Sequence, residues 1–379
     1  MASVSDSPAI GRFVVTQHPV TIVFGDGEQE RLVEHLDTAL DPHRVVIVHG
    51  VSGAGIAQRL AIELGQRFVG AFGEVAQHVP AELAARAISR VTAADADTVV
   101  AIGGGSAIGL AKVIALRTGA VIAAVPTTYA GSEMTPVWGL TESGRKSTGQ
   151  DTRVMPRLVV YDTALTLTLS PRTSAASGFN ALAHAVDGMY AGHTSPLIRT
   201  IALEAIERLA AALPAVVRDP ADLGAREQAL YGAHLAATVL GTAGMALHHR
   251  ICHVLGGMYS LPHAETHAVV LPYAVAYNEA SAASVNARIA RALGGTDAAG
   301  MLWQLARRLQ LPASLAELGM QADDLGGVAE AAAATPVANP ATVTRAGIER
   351  VLQAAHAGKQ PAGLARGKSA RVRDERGAP

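Results

Sequence analysis

Short apolar runs alternate with helix-like segments over the first 130 residues of the chain. The runs RVVIVH at 44–49, TVVAI at 98–102 and AVIAAV at 120–125 are typical of buried strands. Apolar residues at intervals of three and four predict helices in the intervening segments. These helices are expected at 28–40, 54–68, 80–94 and 107–117. The alternation predicts a Rossmann-like, doubly wound parallel sheet of the α/β class.

Weaker patterns complete this half of the chain. Residues 12–17 and 20–24 are β-rich runs joined by His18-Pro19, and they predict a hairpin. A glycine-rich turn follows at 25–27. Further strands are expected at 72–79, 135–140 and 157–160.

The pattern changes after Pro171, where strand-like runs disappear and long helices follow. These are predicted at 174–190, 196–211, 224–243, 246–258, 280–292, 300–309 and 347–357. We therefore expect an α/β dinucleotide-binding domain at 1–163 and an all-helical catalytic domain at 164–357, with a cleft between them. Residues 358–379 are rich in Gly, Pro and Arg and are expected to form a disordered tail.

Composition restricts the possible partners. The 379 residues carry a net charge of −1, so strong attraction to nucleic acid or to an anionic membrane is not expected. The single cysteine, Cys252, excludes an intramolecular disulfide and is compatible with a reducing compartment. The chain shows neither a signal peptide at its start nor an apolar run of about 18 residues. We expect a cytoplasmic protein.

Two loops at the ends of neighbouring strands predict a nucleotide site. The strand at 98–102 runs into Gly103-Gly104-Gly105-Ser106 and then into a helix, whose N-terminal N–H groups favour an anion. The next strand is followed by the hydroxyl-rich loop PTTYAGSE at 126–133, where doubly wound folds place ligands. Each loop alone could be an ordinary tight or capped turn. Together they favour a dinucleotide.

The segment 244–270 is largely apolar and holds five histidines, which are His248, His249, His253, His263 and His267. His249 and His253 stand four apart and share one face of a helix, as do Asn180 and His184 further upstream. Core histidines bonded to carbonyl groups would also explain such residues. A metal site built from His184, His249, His263 and Asn180 would be short of negative charge, because an amide oxygen is a weaker ligand than a carboxylate.

These residues resemble the iron-containing (group III) alcohol dehydrogenases, and within that family the maleylacetate reductase branch. The family motif is an Asp and a His four apart, then HxxxH, then a His ten residues further on. The chain has Asn180 and His184, then HRICH at 249–253, then His263. The resemblance extends to GGGS at 103–106, PTTYAGSEMTP at 126–136 and YDTALTLTL at 161–169, and it covers the chain up to about residue 357.

The resemblance implies an oxidoreductase that uses NADH or NADPH to reduce the carbon–carbon double bond of maleylacetate, and of chloro-substituted maleylacetates, to 3-oxoadipate. This reaction belongs to the degradation of aromatic compounds, and the family suggests a homodimer. Hydride adds to the alkene carbon β to the ketone, so the developing enolate needs stabilisation and a proton. The catalytic candidates are His253, His249, His263, His184 and Asn180.

The same resemblance indicates residues for the cofactor and for the substrate carboxylates. Cofactor binding is expected at Gly50, Gly103, Gly104, Gly105, Ser106, Thr127, Thr128, Ser132, Lys146 and Leu165. Substrate candidates are Tyr129, Lys146, Arg250 and Tyr259, each of which a surface or packing role would also explain.

Two departures from the family pattern alter the expectations. Asn180 replaces the Asp of metal-dependent members, so we expect no tightly bound metal and only a vestigial site at Asn180, His184, His249 and His263. His49-Gly50 replaces the Asp with which NAD-specific members hold the ribose, so we expect either NADH or NADPH to serve. The alternatives are a metal-dependent alcohol or polyol dehydrogenase of the same fold and a nucleotide-binding regulatory protein without turnover.

Overall fold

The computed structural model describes residues 12–142 and 145–361. Its strands are β1 (Thr21–Gly25), β2 (Val45–His49), β3 (Phe68–Phe72), β4 (Thr98–Gly103), β5 (Val121–Pro126), β6 (Val137–Glu142), β7 (Arg145–Gln150) and β8 (Leu158–Asp162). Six of them form one parallel sheet in the order β1-β8-β5-β4-β2-β3, while β6 and β7 form a separate antiparallel pair. The predicted doubly wound parallel sheet is confirmed.

Within the described residues, four helices flank the sheet and nine follow it. The first group is α1 (Leu32–Ala39), α2 (Ala54–Leu64), α3 (Ala81–Ala93) and α4 (Gly105–Thr118). The second group is α5 (Pro171–Gly188), α6 (Pro196–Arg218), α7 (Leu223–Ala243), α8 (Leu247–Tyr259), α9 (His263–Tyr277), α10 (Ala283–Ala292), α11 (Ala298–Arg308), α12 (Leu325–Ala333) and α13 (Arg345–Ala357). The all-helical character of the second half is confirmed.

Successive side chains of the central strands point to opposite faces of the sheet, and helices cover both faces. In β4, Val99 and Ala101 pack into the apolar cluster that contains α3 and α4. Val100 and Ile102 point the other way, into the cluster that contains α1 and α2. Because both faces are covered, the strand is apolar at nearly every position, which is why its sequence was a continuous run.

Several local predictions were wrong. Residues 12–20 have no regular structure, and β1 pairs in parallel with β8 instead of closing a hairpin. The helix expected to reach residue 68 ends at Leu64, because Gly65 adopts a positive φ of 55°, and the next strand is therefore 68–72 and not 72–79. The strand expected at 135–140 is present as β6, which pairs with β7 outside the main sheet.

Two helices were missed, α9 and α12. The α9 sequence contains Pro272, which ordinarily interrupts a helix, and a mixture of histidines and apolar residues without a polar face. Nearly all of its residues from Thr266 onwards are buried, so amphipathic periodicity is absent.

The predicted domain limits stay predictions, although β8 ends at Asp162 and α5 begins at Pro171. The apolar cluster on the α3–α4 face of the sheet continues into α5, α6 and α7. The carbonyl groups of Gly358 and Lys359 accept hydrogen bonds from Trp303 (3.2 Å) and Tyr273 (2.9 Å), so the expected tail does not begin at 358. Residues 362–379 lie outside the described residues.

Among the described residues, no single helix has the length and hydropathy needed to cross a bilayer. Helices α7 and α8 together have the required length and hydropathy, but their axes are bent by 93° at the break between them.

Close approach of α7 to the loop after β5 gives a stability prediction. A Cβ at Gly241 would lie 1.9 Å from the carbonyl oxygen of Met134. We expect Gly241→Ala to lower the free energy of unfolding by about 1–3 kcal/mol, because either backbone must shift. Urea denaturation measures the change. Gly256→Ala in α8 is the control, since no atom lies within 4 Å of its Cβ and alanine favours helix by up to about 1 kcal/mol. Equal effects at the two positions would contradict the steric argument.

Candidate active site

The two nucleotide-type loops lie against each other at the carboxyl edge of the sheet. Gly104 precedes the first turn of α4, and a Cβ there would lie 2.8 Å from Cγ2 of Thr128. The N–H of Thr127 donates to the carbonyl oxygen of Gly103 at 3.2 Å. The glycine loop therefore needs its glycines to accommodate the hydroxyl-rich loop, and it leaves Gly105 exposed at the N-terminus of a 14-residue helix.

The other predicted cofactor residues lie along the same edge, with different environments. The N–H of Gly50, directly after β2, donates to Ile102 at 3.1 Å, and Ser132 begins the short 3-10 turn after Gly131. Leu165 follows β8 but is buried in the apolar core, which favours a packing role. The side chain of Lys146 lies outside the described part of the structure.

Buried polar side chains hold the hydroxyl-rich loop in place. Glu133 accepts a hydrogen bond from the hydroxyl of Tyr161 at 2.9 Å. Lys112 donates to the carbonyl and hydroxyl oxygens of Thr135 at 2.7 and 2.8 Å. Burial lowers the pKa of Lys112 to about 7 and raises that of Glu133, so neither charge is stabilised by water.

Helices α5, α8 and α9 bring the predicted histidines into one cluster. The ring centroids of His184 and His249 are 5.1 Å apart, and those of His249 and His253 are 6.1 Å apart. His263, at the start of α9, stacks on His253 at 6.4 Å. His184 and His249 are buried, whereas His253 and His263 are exposed, so the cluster has an inner and an outer part.

A buried carboxylate that the sequence prediction missed orients His249. Oδ2 of Asp187 lies 2.8 Å from Nδ1 of His249 and also accepts the N–H of Ala246 at 2.8 Å. An oxygen that accepts from the backbone is an acceptor towards the ring as well, so Nδ1 carries the proton and Nε2 presents a lone pair in the neutral imidazole. Asn180, His184 and Asp187 follow at intervals of four and three on α5, which was the available sequence pattern.

Polar atoms without a hydrogen-bond partner accumulate on these helices. They include Oδ1 of Asn180, Nδ1 of His184, Nε2 of His249 and Nε2 of His267, all buried. A buried polar group without a hydrogen-bond partner lowers the free energy of unfolding by about 1–3 kcal/mol. Four such groups within one cluster therefore indicate a ligand site.

Burial also decides the charge of the inner histidines. It lowers the pKa of His184, His248, His249 and His267 well below the usual value, and repulsion between the imidazoles lowers it further. Burial therefore disfavours the protonated form of both His184 and His249. Both are neutral at pH 7 in the free protein.

The structure favours packing roles for two of the substrate candidates. Tyr129 is buried in the apolar core, where burial raises the pKa of its hydroxyl. The guanidinium of Arg250 donates to the carbonyl oxygens of Ala331 and Ala332 at 3.0 and 3.3 Å, at the C-terminal end of α12. The Tyr259 hydroxyl interacts with Asp324.

The donor set does not fit a firmly held divalent metal. Among the residues that the structure describes, the group of three His, Cys, Asp or Glu side chains whose ligand atoms lie within 4.8 Å of one another is His248, Cys252 and His267. The family set of His184, His249 and His263 is not such a group, and Asn180 contributes no charge to it. His248 and His267 are bonded to each other at 3.0 Å, and burial keeps the Cys252 thiol protonated by raising its pKa.

Comparison with known proteins gives matches along nearly the whole chain. Residues 19–163 match the family described as iron-containing alcohol dehydrogenase, and residues 174–356 match the C-terminal region of the Fe-containing alcohol dehydrogenase family. A maleylacetate reductase of Sphingobium indicum is 46% identical over 350 residues, which cover 92% of this chain and 99% of that protein. One from Burkholderia cepacia is 47% identical over 90% of this chain and 96% of its own length. The crystal structure of maleylacetate reductase from Agrobacterium tumefaciens superposes with a TM-score of 0.89 at 44% identity, covering 93% of this chain and all of that one.

Proposed function

Because the chain belongs to the iron-containing alcohol dehydrogenase family, we propose that it is a maleylacetate reductase, which reduces the carbon–carbon double bond of maleylacetate and its chloro-substituted analogues to give 3-oxoadipates. The observation that supports this function over alcohol oxidation is the buried amide of Asn180 beside an imidazole cluster. An alcohol dehydrogenase of this family needs a metal to stabilise an alkoxide, and the donor set here is poor in charge.

A nicotinamide cofactor fits the carboxyl edge of the sheet. Its pyrophosphate would lie at the N-terminus of α4, against Gly104, Gly105 and Ser106, with Thr127 and Thr128 beside it. When bound, the cofactor supplies hydride to the alkene carbon β to the ketone. No carboxylate follows β2, where His49 packs its ring close to Gly73 instead. We therefore propose that NADH and NADPH both serve.

The histidine cluster supplies what the enolate requires. A substrate with two carboxylates favours protonation of the nearby neutral imidazoles, since opposite charge raises a pKa. In protonated His249, Nδ1–H remains on Asp187 and Nε2–H faces the substrate, so the ion pair stabilises the imidazolium beside the developing oxyanion. His253 lies one helical turn away and is exposed, so it exchanges protons with solvent and delivers one to the enolate carbon.

An absorbance assay tests the function directly. Purified protein is expected to oxidise NADH or NADPH when maleylacetate or chloromaleylacetate is added, with 3-oxoadipate as the product from the unsubstituted compound. A regulatory protein with the same fold would oxidise neither cofactor. Turnover of 1,2- or 1,3-diols in place of maleylacetate would support the alternative of a polyol dehydrogenase.

We also propose that the reaction needs no tightly bound metal. After dialysis against EDTA, the protein is expected to retain its reductase activity and to contain iron and zinc well below one equivalent by elemental analysis. The physical reason is the missing carboxylate, which removes a charge–charge attraction from the ligand set. Loss of activity on chelation, with recovery on adding one Fe²⁺ or Zn²⁺ per chain, would disprove this proposal.

The proposed assembly is a homodimer. β1 lies at the edge of the sheet, and the preceding residues Phe13 and Val14 expose their apolar side chains. An open edge beside exposed apolar groups is suited to pairing with a second copy. Light scattering after gel filtration gives the mass in solution, and a monomer would disprove the proposal. The cytoplasmic location stays a prediction.

A further inference from the structure

His267 has four histidine neighbours in the cluster, as many as His249, although the family motif does not include it. Its ring centroid lies 4.4 Å from that of His263, 4.6 Å from His249, 4.8 Å from His248 and 6.4 Å from His184. The side chain is fully buried, and its Nε2 has no hydrogen-bond partner. A buried ring nitrogen left open beside His249 and His263 is available to a ligand of the same site.

The other nitrogen of this ring is already bonded. Nδ1 of His267 lies 3.0 Å from Nε2 of His248, which is itself buried. Each imidazole is neutral and carries one proton, so one ring donates to the other. The open nitrogen of His267 is a donor only if His248 is the one that donates.

Cys252 packs beside this pair. Its sulfur lies 3.9 Å from both ring nitrogens of His248 and 4.0 Å from the carbonyl oxygen of Thr266, so the thiol has three acceptors at similar distances. In the direction in which Nε2–H of His248 donates to Nδ1 of His267, the proton of His267 sits on Nε2 and points away from His248.

We propose that His267 is a catalytic residue whose Nε2–H donates to the enolate oxygen of the bound substrate, and that His248 is the positioning residue that sets its tautomer. This inference rests on the proposed reductase function. It assigns the oxyanion contact to a neutral imidazole, which needs no protonation during turnover. His249 and His253 then remain for electrostatic stabilisation and for the proton delivered to carbon.

Two amide substitutions distinguish the roles of the two ring nitrogens of His267. Asparagine places its amide near Nδ1 and keeps a partner for His248, whereas glutamine places its amide nitrogen near Nε2 and keeps the donor towards the substrate. We expect His267→Asn to lower kcat by about 10²-fold, the scale for loss of one oxyanion donor, and His267→Gln to lower it by less than about tenfold. The KM for NADH should stay unchanged in both. Equal losses, or a larger loss in the glutamine variant, would overturn the assignment.

A second matched pair of variants tests the role of His248. His248→Gln retains a donor towards Nδ1 of His267 and should keep near-normal kcat, whereas His248→Leu removes it and should behave like His267→Asn. Nitrogen NMR of histidine-labelled protein gives a readout besides activity. We expect a protonated Nε2 and an unprotonated Nδ1 on His267 in the wild type, with that preference lost in His248→Leu. The opposite tautomer in the wild type would overturn the inference.

These outcomes are distinguishable from failure of the proposed function. If the wild-type protein does not reduce maleylacetate, the reductase proposal fails and the enolate contact fails with it, whereas the tautomer is still decided by NMR. If the wild type is active and His267→Asn is equally active, only the inference about His267 fails.

Discussion

Replacing Asp187 with asparagine is expected to lower kcat for maleylacetate reduction by about 10³- to 10⁴-fold, the loss seen when an aspartate that orients a catalytic histidine is replaced in this way. Oδ2 of Asp187 makes three contacts, with the N–H groups of Ala246 and His249 and with the His249 ring. An asparagine oxygen can accept all three. The substitution therefore removes the negative charge that stabilises imidazolium while it preserves the start of α8.

The control for Asp187→Asn is a second aspartate at a helix start. Asp297 accepts the N–H of Gly300 at 3.0 Å and precedes α11, with no titratable partner in that contact. Asp297→Asn should leave kcat unchanged. Measurements of kcat, KM and the thermal midpoint for both variants separate the effects. If Asp187→Asn lost stability but kept its kcat, the carboxylate would be structural and the mechanism assigned to His249 would be wrong.

Removal of the His253 imidazole is the second large effect. His253→Ala is expected to lower kcat by about 10²- to 10⁴-fold, the range for a general acid. The inner histidines are neutral in the free protein because burial lowers their pKa, and His253 is the exposed ring on the same helix face as His249. Stopped-flow measurement of NADH oxidation, with KM from initial rates, measures the effect.

An exposed histidine outside the cluster provides the comparison for His253. His43 lies in the loop before β2 and is exposed, so His43→Ala should retain full activity. A His253→Ala variant that changed only KM would show that this ring binds substrate and that the proton comes from elsewhere.

Elements that depend on short-range pattern could be predicted well. β4 and β5 are continuous apolar runs because both of their faces are covered, and GGGS follows β4 because an open helix N-terminus requires small residues against Thr128. The spacing of Asn180 to His184 and of His249 to His253 placed each pair on one helix face. Long-range pairing was harder, and the edge position of β1 beside β8 depends on residues more than 130 positions apart.

Within the site, the sequence by itself determined which chemical groups are present and which of them share a helix face. It determined that an amide and not a carboxylate stands at position 180, which is the reason to expect weak metal binding by this cluster. Only the tertiary structure decided that Asp187 on α5 reaches His249 on α8, and that His267 on α9 contacts both His249 and His248. The spacing of residues fixes directions around one helix axis, whereas distances between three helices depend on how their side chains pack. The same packing decides which histidines are neutral, because burial is a property of the assembled core and not of the sequence motif.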